Sequence, residues 1–121
     1  KTSKGKYVAP VPIESLLCTN TDIEQVCIVG SGLKQPVALI VVKGSIERHC
    51  SDIENSLRET LHWVNKQLES HEKIDYLFIC QETWAIENDL LTPTLKIKRN
   101  VIEKKYAECV GKELIGDIIW Q

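Results

Sequence analysis

A chain of 121 residues is long enough to bury roughly two thirds of its unfolded surface, so one domain with a real core is expected. The apolar fraction of 43% and charged fraction of 26% are those of an ordinary globular domain, and a net charge of −2 gives no global pull toward nucleic acid or anionic membrane. Any basic site is therefore local. No run approaches the ~18 apolar residues of a membrane span, and no signal-peptide pattern is present.

Five cysteines (Cys18, Cys27, Cys50, Cys80 and Cys109) are scattered without a C-x-x-C pair. That pattern suggests reduced thiols in a cytosolic protein, used as small apolar core residues. Methionine is absent, and the opening residues read as the middle of a longer protein.

Residues 1–8, K-T-S-K-G-K-Y-V, combine small, basic and glycine residues, and Gly5 suits a tight turn between two short strands. Pro10 and Pro12 start a helix running to about Leu17, with Glu14 expected to complement its positive end. T-N-T-D then breaks it. Residues 25–29 (Q-V-C-I-V) and 37–42 (V-A-L-I-V-V) read as strands around a glycine-rich turn. Their continuous β-branched runs predict a sheet covered on both faces. Ser51 opens the capping box S-D-I-E with Glu54, and Ile53, Leu57, Leu61, Val64 and Leu68 repeat at helical spacing, predicting a helix over residues 52–69. His49, His62 and His71 show no partner spacing for a metal or a catalytic base.

Residues 74–80 form a third strand, and residues 82–89 a turn and extended piece carrying Trp84 and Ile86 inward and ending in the turn signal Asn88-Asp89. The stretch L-L-T-P-T-L-K-I-K-R, residues 90–99, organises the chain. Pro93 fixes its own φ and pushes Thr92 toward an extended conformation, so Lys96 stands at the end of a stiff arm, a point charge on a long stem. A solvated surface lysine is the alternative on spacing alone. The arm feeds a helix with an apolar face of Ile102, Tyr106 and Val110. Five basic residues face the single acid Glu103 between Lys96 and Lys105, but without interleaved exposed aromatics this points away from nucleic acid. The tail, residues 111–121, reads as a closing strand or loop with Trp120 against the body. There is no Walker-type phosphate loop, dinucleotide fingerprint or nucleophile elbow, so a nucleotide site of its own is not expected.

Two stretches together, K-T-S-K-G-K-Y-V-A-P-V-P-I-E at residues 1–14 and E-N-D-L-L-T-P-T-L-K-I-K-R at residues 87–99, resemble the C-terminal lid domain of adenylate-forming acyl-CoA synthetases, in the long-chain fatty acid branch. The resemblance covers almost the whole chain. It implies an α+β fold, with a small central sheet of about three strands flanked by helices and an N-terminal two-stranded hairpin. It also implies a single lid domain over residues 1–121 whose partner is the N-terminal domain of the same polypeptide.

The implied reaction has two steps: a fatty acid and Mg-ATP give acyl-AMP and pyrophosphate, and coenzyme A then takes the acyl group. ATP, Mg and coenzyme A belong to the full-length enzyme; none is expected to be held by this domain alone, and the isolated domain is expected to be inactive. By motif position Lys96 is the catalytic cation, Thr92, Pro93 and Thr94 its supporting loop, and Ser3, Lys4, Gly5 and Lys6 the border of the coenzyme A channel. No metal ligand and no nucleic-acid partner are implied. The implied location is cytoplasmic, with peripheral membrane contact of the parent enzyme left open. Leu95 replaces the glycine that many relatives carry before the lysine, as the long-chain branch commonly does, and Asp89 stands where that branch usually has glycine. The alternatives are the lid of an aryl or medium-chain ligase, or an independent interaction module using the basic helix.

Overall fold

The computed structural model describes residues 9–30, 35–43, 51–80, 83–94, 96–106 and 118–120. The expected N-terminal hairpin, including Ser3, Lys4, Gly5 and Lys6, lies outside them. The elements in chain order are α1 (Pro10–Leu17), β1 (Ile23–Val29), β2 (Val37–Val42), α2 (Ser51–Asn65), β3 (Leu77–Ile79), α3 (Arg99–Lys105) and β4 (Ile118–Trp120). The strands form one sheet in the order β1-β2-β3-β4. β1 and β2 are antiparallel, while β2–β3 and β3–β4 are parallel. The sheet thus has one strand more than the sequence count, supplied by the tail.

Side-chain alternation splits the core in two. One face carries Val26, Ile28, Ala38, Ile40, Val42, Leu77 and Ile79, covered by α1 and α2. The other carries Cys27, Val29, Val37, Leu39, Val41 and Phe78, covered by Trp84, Leu90, Leu91 and α3. All six residues of β2 are buried, as its unbroken β-branched run requires of a strand with no solvent face. Ile23 and Val26 share a face despite their odd spacing because the register shifts between Ile23 and Gln25.

Proline stands at the start of α1 as expected, and Ile13 and Leu17 bury the inner side. Glu14 is not in the first turn and does not serve the helix dipole; its carboxylate turns to β1 and α3. In α2, Leu57, Leu61 and Val64 form the apolar stripe. This helix ends at Asn65 rather than near residue 69: beyond it the backbone tightens into turns, with the Gln67 N–H on the Val64 carbonyl and the Leu68 N–H on that of Asn65, and the Asn65 side chain ties the turn to both backbone groups of Ile74, at 2.8 and 3.0 Å. Leu68 still packs on the core from the following turn. The side chain of Ser51, and with it the expected capping box, falls outside the described residues. Trp84 is buried as expected, at 1% exposure, but Ile86 is 45% exposed and points outward. It lies in the turn 86–89, where Asp89 N–H donates to the Ile86 carbonyl.

Candidate functional site

The stretch 90–98 folds back on itself as a miniature hairpin on the face covered by α3. Leu90 and Leu91, 1% and 7% exposed, root it in the core. Leu91 and Ile97 form an antiparallel bridge. The Lys98 N–H donates to the Leu90 carbonyl at 2.9 Å, and the Thr92 N–H to the Lys96 carbonyl at 2.8 Å. The loop at the tip is closed by a side chain, since the Thr92 hydroxyl accepts the Lys96 N–H at 3.1 Å and lies 3.0 Å from the Thr94 hydroxyl. Pro93 sits exposed in this turn with its φ fixed by the ring. Lys96 therefore has both its backbone groups engaged and its side chain exposed.

Of the three cations in K-I-K-R, two are spent locally. The Lys98 ammonium pairs with Asp89, which adopts φ 64°, the left-handed region that aspartate tolerates better than most residues. The Arg99 guanidinium pairs with Glu14 through both terminal nitrogens and also reaches the Cys27 sulfur at 3.5 Å and the Ile28 carbonyl at 3.4 Å. The hydrogen bond to Glu14 and the charge of that carboxylate raise the Arg99 pKa above its ordinary value, so it stays protonated. Among the described residues, no hydrogen bond or ion pair engages the Lys96 ammonium.

The structure thus brings Thr92, Pro93, Thr94 and Lys96 into one turn. It does not describe Ser3, Lys4, Gly5 and Lys6. Sequence reasoning missed the Glu14–Arg99 and Asp89–Lys98 pairs; Glu14 and Arg99 are 85 positions apart, beyond any local pattern. It also gave His71 no metal-type partners, whereas one donor atom each of Glu69, His71 and Glu72 lies within 4.8 Å of the others on the turn after α2. The spacing of the histidines alone concealed that group, since the partners are carboxylates.

A mixed four-stranded sheet with helices on both sides, carrying an exposed lysine on a braced hairpin, places the chain among small α+β domains. The model of the AMP-binding enzyme C-terminal domain matches residues 1–112, and the chain belongs to that family. Its sequence relatives include ligases of long-chain fatty acids. Rat long-chain-fatty-acid–CoA ligase 5 is 35% identical over 123 residues, covering 86% of this chain and 18% of the relative. Human long-chain-fatty-acid–CoA ligase 1 is 29% identical over 118 residues, with 82% and 17% covered. The chain thus spans under a fifth of these relatives' length. Two solved structures share the fold. The adenylation domain of a carboxylate reductase from Mycobacterium chelonae has a TM-score of 0.75 at 21% identity, with 91% of this chain and 18% of that chain covered. The anthranilate CoA ligase AuaEII in complex with anthranoyl-AMP has a TM-score of 0.67 at 20% identity, with 91% and 20% covered.

Proposed function

We propose that this chain is the mobile lid of a long-chain fatty acid–CoA ligase and that Lys96 is its adenylation cation. The observation that carries this reading is the singling out of Lys96. Its two basic neighbours are neutralised by Asp89 and Glu14, while its own ammonium is presented on a braced turn.

Attack of a fatty acid carboxylate on the α-phosphorus of ATP concentrates negative charge on the oxygens of both groups. An ammonium set between them stabilises that arrangement more than the ground state. The braced backbone reduces the reorganisation needed at that moment, while the four-carbon stem gives the reach to a site on the N-terminal domain of the same polypeptide. Mg bound with ATP on that domain supplies charge neutralisation at the phosphates. After adenylation the lid rotates, and the segment holding Ser3, Lys4, Gly5 and Lys6 replaces the Lys96 face and borders the path of coenzyme A. In this reading the parent enzyme works in the cytoplasm, with peripheral membrane contact left open.

The test is Lys96→Ala in the full-length ligase. Pyrophosphate release is expected to fall by about 10² to 10³, as for loss of one preorganised donor. Conversion of supplied acyl-adenylate to acyl-CoA is expected to persist, and so is the melting temperature, because the side chain is exposed. Pyrophosphate release at the unsubstituted rate would remove Lys96 from the chemistry.

A further inference from the structure

The open edge of the sheet is where the two covering layers meet. Among the described residues β1 pairs with β2 alone, so the outer backbone groups of this edge strand need other partners. At Ile28 they are met from both sides. Glu14, from the layer of α1, accepts the Ile28 N–H at 2.8 Å, and Arg99, from the layer of α3, donates to the Ile28 carbonyl at 3.4 Å. The two side chains also close on each other, the two terminal guanidinium nitrogens donating to the two carboxylate oxygens. Neither is free in solvent, with side-chain exposures of 28% for Arg99 and 12% for Glu14. A forked pair of this kind fixes orientation as well as distance.

The position of the clasp along the chain gives it a second consequence. Arg99 opens α3, three residues after Lys96, and terminates the outgoing limb of the hairpin. The incoming limb is already rooted by Leu90 and Leu91. The outgoing limb has Ile97 packed on the core and Lys98 held by Asp89, an exposed pair of the kind that contributes little. Its backbone is tied to the incoming limb by the Lys98 N–H, and Arg99 is the polar tie that runs from it to α1 and the β1 edge and sets its direction relative to them.

We infer that Glu14 and Arg99 are positioning residues for Lys96. Their clasp around the β1 edge holds the hairpin in the orientation from which the ammonium reaches the neighbouring domain, a role that rests on the adenylation function proposed for Lys96. Neither residue touches substrate. The clasp acts through the backbone of residues 96–99, so weakening it leaves the Lys96 charge present but poorly aimed.

The variants are Arg99→Lys, which keeps the charge and loses the fork, and Glu14→Gln, which keeps the size and loses the charge, both in the full-length ligase. For each, kcat of pyrophosphate release is expected to fall by about tenfold with KM for ATP unchanged, because aim matters in the transition state and little in ground-state binding. The thioester step from supplied acyl-adenylate is expected to stay within about twofold, since it does not use this face. Amide exchange at Thr92, Lys96 and Lys98, whose N–H groups close the hairpin, is expected to quicken by about tenfold while α2 keeps its protection.

Unchanged exchange in the hairpin overturns the clasp as its anchor. Quickened exchange with full adenylation overturns the link to Lys96, and equal losses in both half-reactions reduce the pair to general stability. Full adenylation by Lys96→Ala would defeat the function reading alone, because the exchange measurement does not depend on catalysis.

Discussion

Cys27 sits at the point where charge and burial compete. Its thiol is wholly buried on β1, with the Arg99 guanidinium 3.5 Å from the sulfur. Burial disfavours the thiolate, Arg99 favours it, and Glu14 and Glu103 oppose it. Burial dominates and pushes the thiol up from 9.0 to about 12. The folded state then holds its proton over a range where the unfolded chain has lost it. The stabilisation is complete below pH about 9 and is lost as pH rises toward about 12. In denaturant titrations the stability difference between the unsubstituted chain and Cys27→Ser should therefore shrink above pH about 9, by up to about 1.4 kcal/mol per pH unit. A pH-independent difference would contradict the shift. At this scale the sequence was only partly legible. That Cys27 and Cys80 are core residues follows from their apolar strands, and both are buried. That Cys18 is exposed, and that an arginine from 72 positions away lies over Cys27, could not be read from neighbours in sequence.

At the scale of elements, the hairpin depends on the turn that precedes it. The Asn88 side chain accepts the Ala85 N–H at 2.9 Å and donates to the Thr83 carbonyl at 3.0 Å, and Asp89 then takes φ 64° to deliver the chain into Leu90. Asp89→Gly relieves the left-handed residue and loses an exposed pair to Lys98, two effects of opposite sign, so its stability is expected within about 0.5 kcal/mol of the original. Asp89→Ala loses the pair and keeps the strain, and is expected to cost about 1 to 2 kcal/mol in urea unfolding. The reverse ranking would mean that the pair, not the backbone, governs the turn. Pro93 and the Asn88-Asp89 signal made this loop readable in advance, because they act through their own backbones. The end of α2 was not readable: the apolar repeat runs on to Leu68, while the backbone turns after Asn65, whose side chain bonds to Ile74, a contact that periodicity does not register.

Across the whole molecule, the sheet separates two cores that share little beyond its backbone. Ile13 lies in the core under α1 and α2, and Ile102 in the core under α3. Ile13→Val and Ile102→Val are each expected to cost about 0.5 to 1.5 kcal/mol, and the double variant the sum within about 0.5 kcal/mol. A larger coupling in denaturant unfolding would show that the layers respond as one. The two-sided burial was legible because β2 has no polar residue anywhere in its run. The fourth strand was not, since three residues of a tail carry too short a pattern to separate strand from loop.

The described strands stand in space in the order in which they occur in the chain. Each rung is added to an edge already in place, and no later strand has to wedge between two earlier ones. For a chain emerging from the ribosome, assembly can thus proceed as a ladder extended in one direction, beginning with the antiparallel pair and needing no completed rung to be broken for the next.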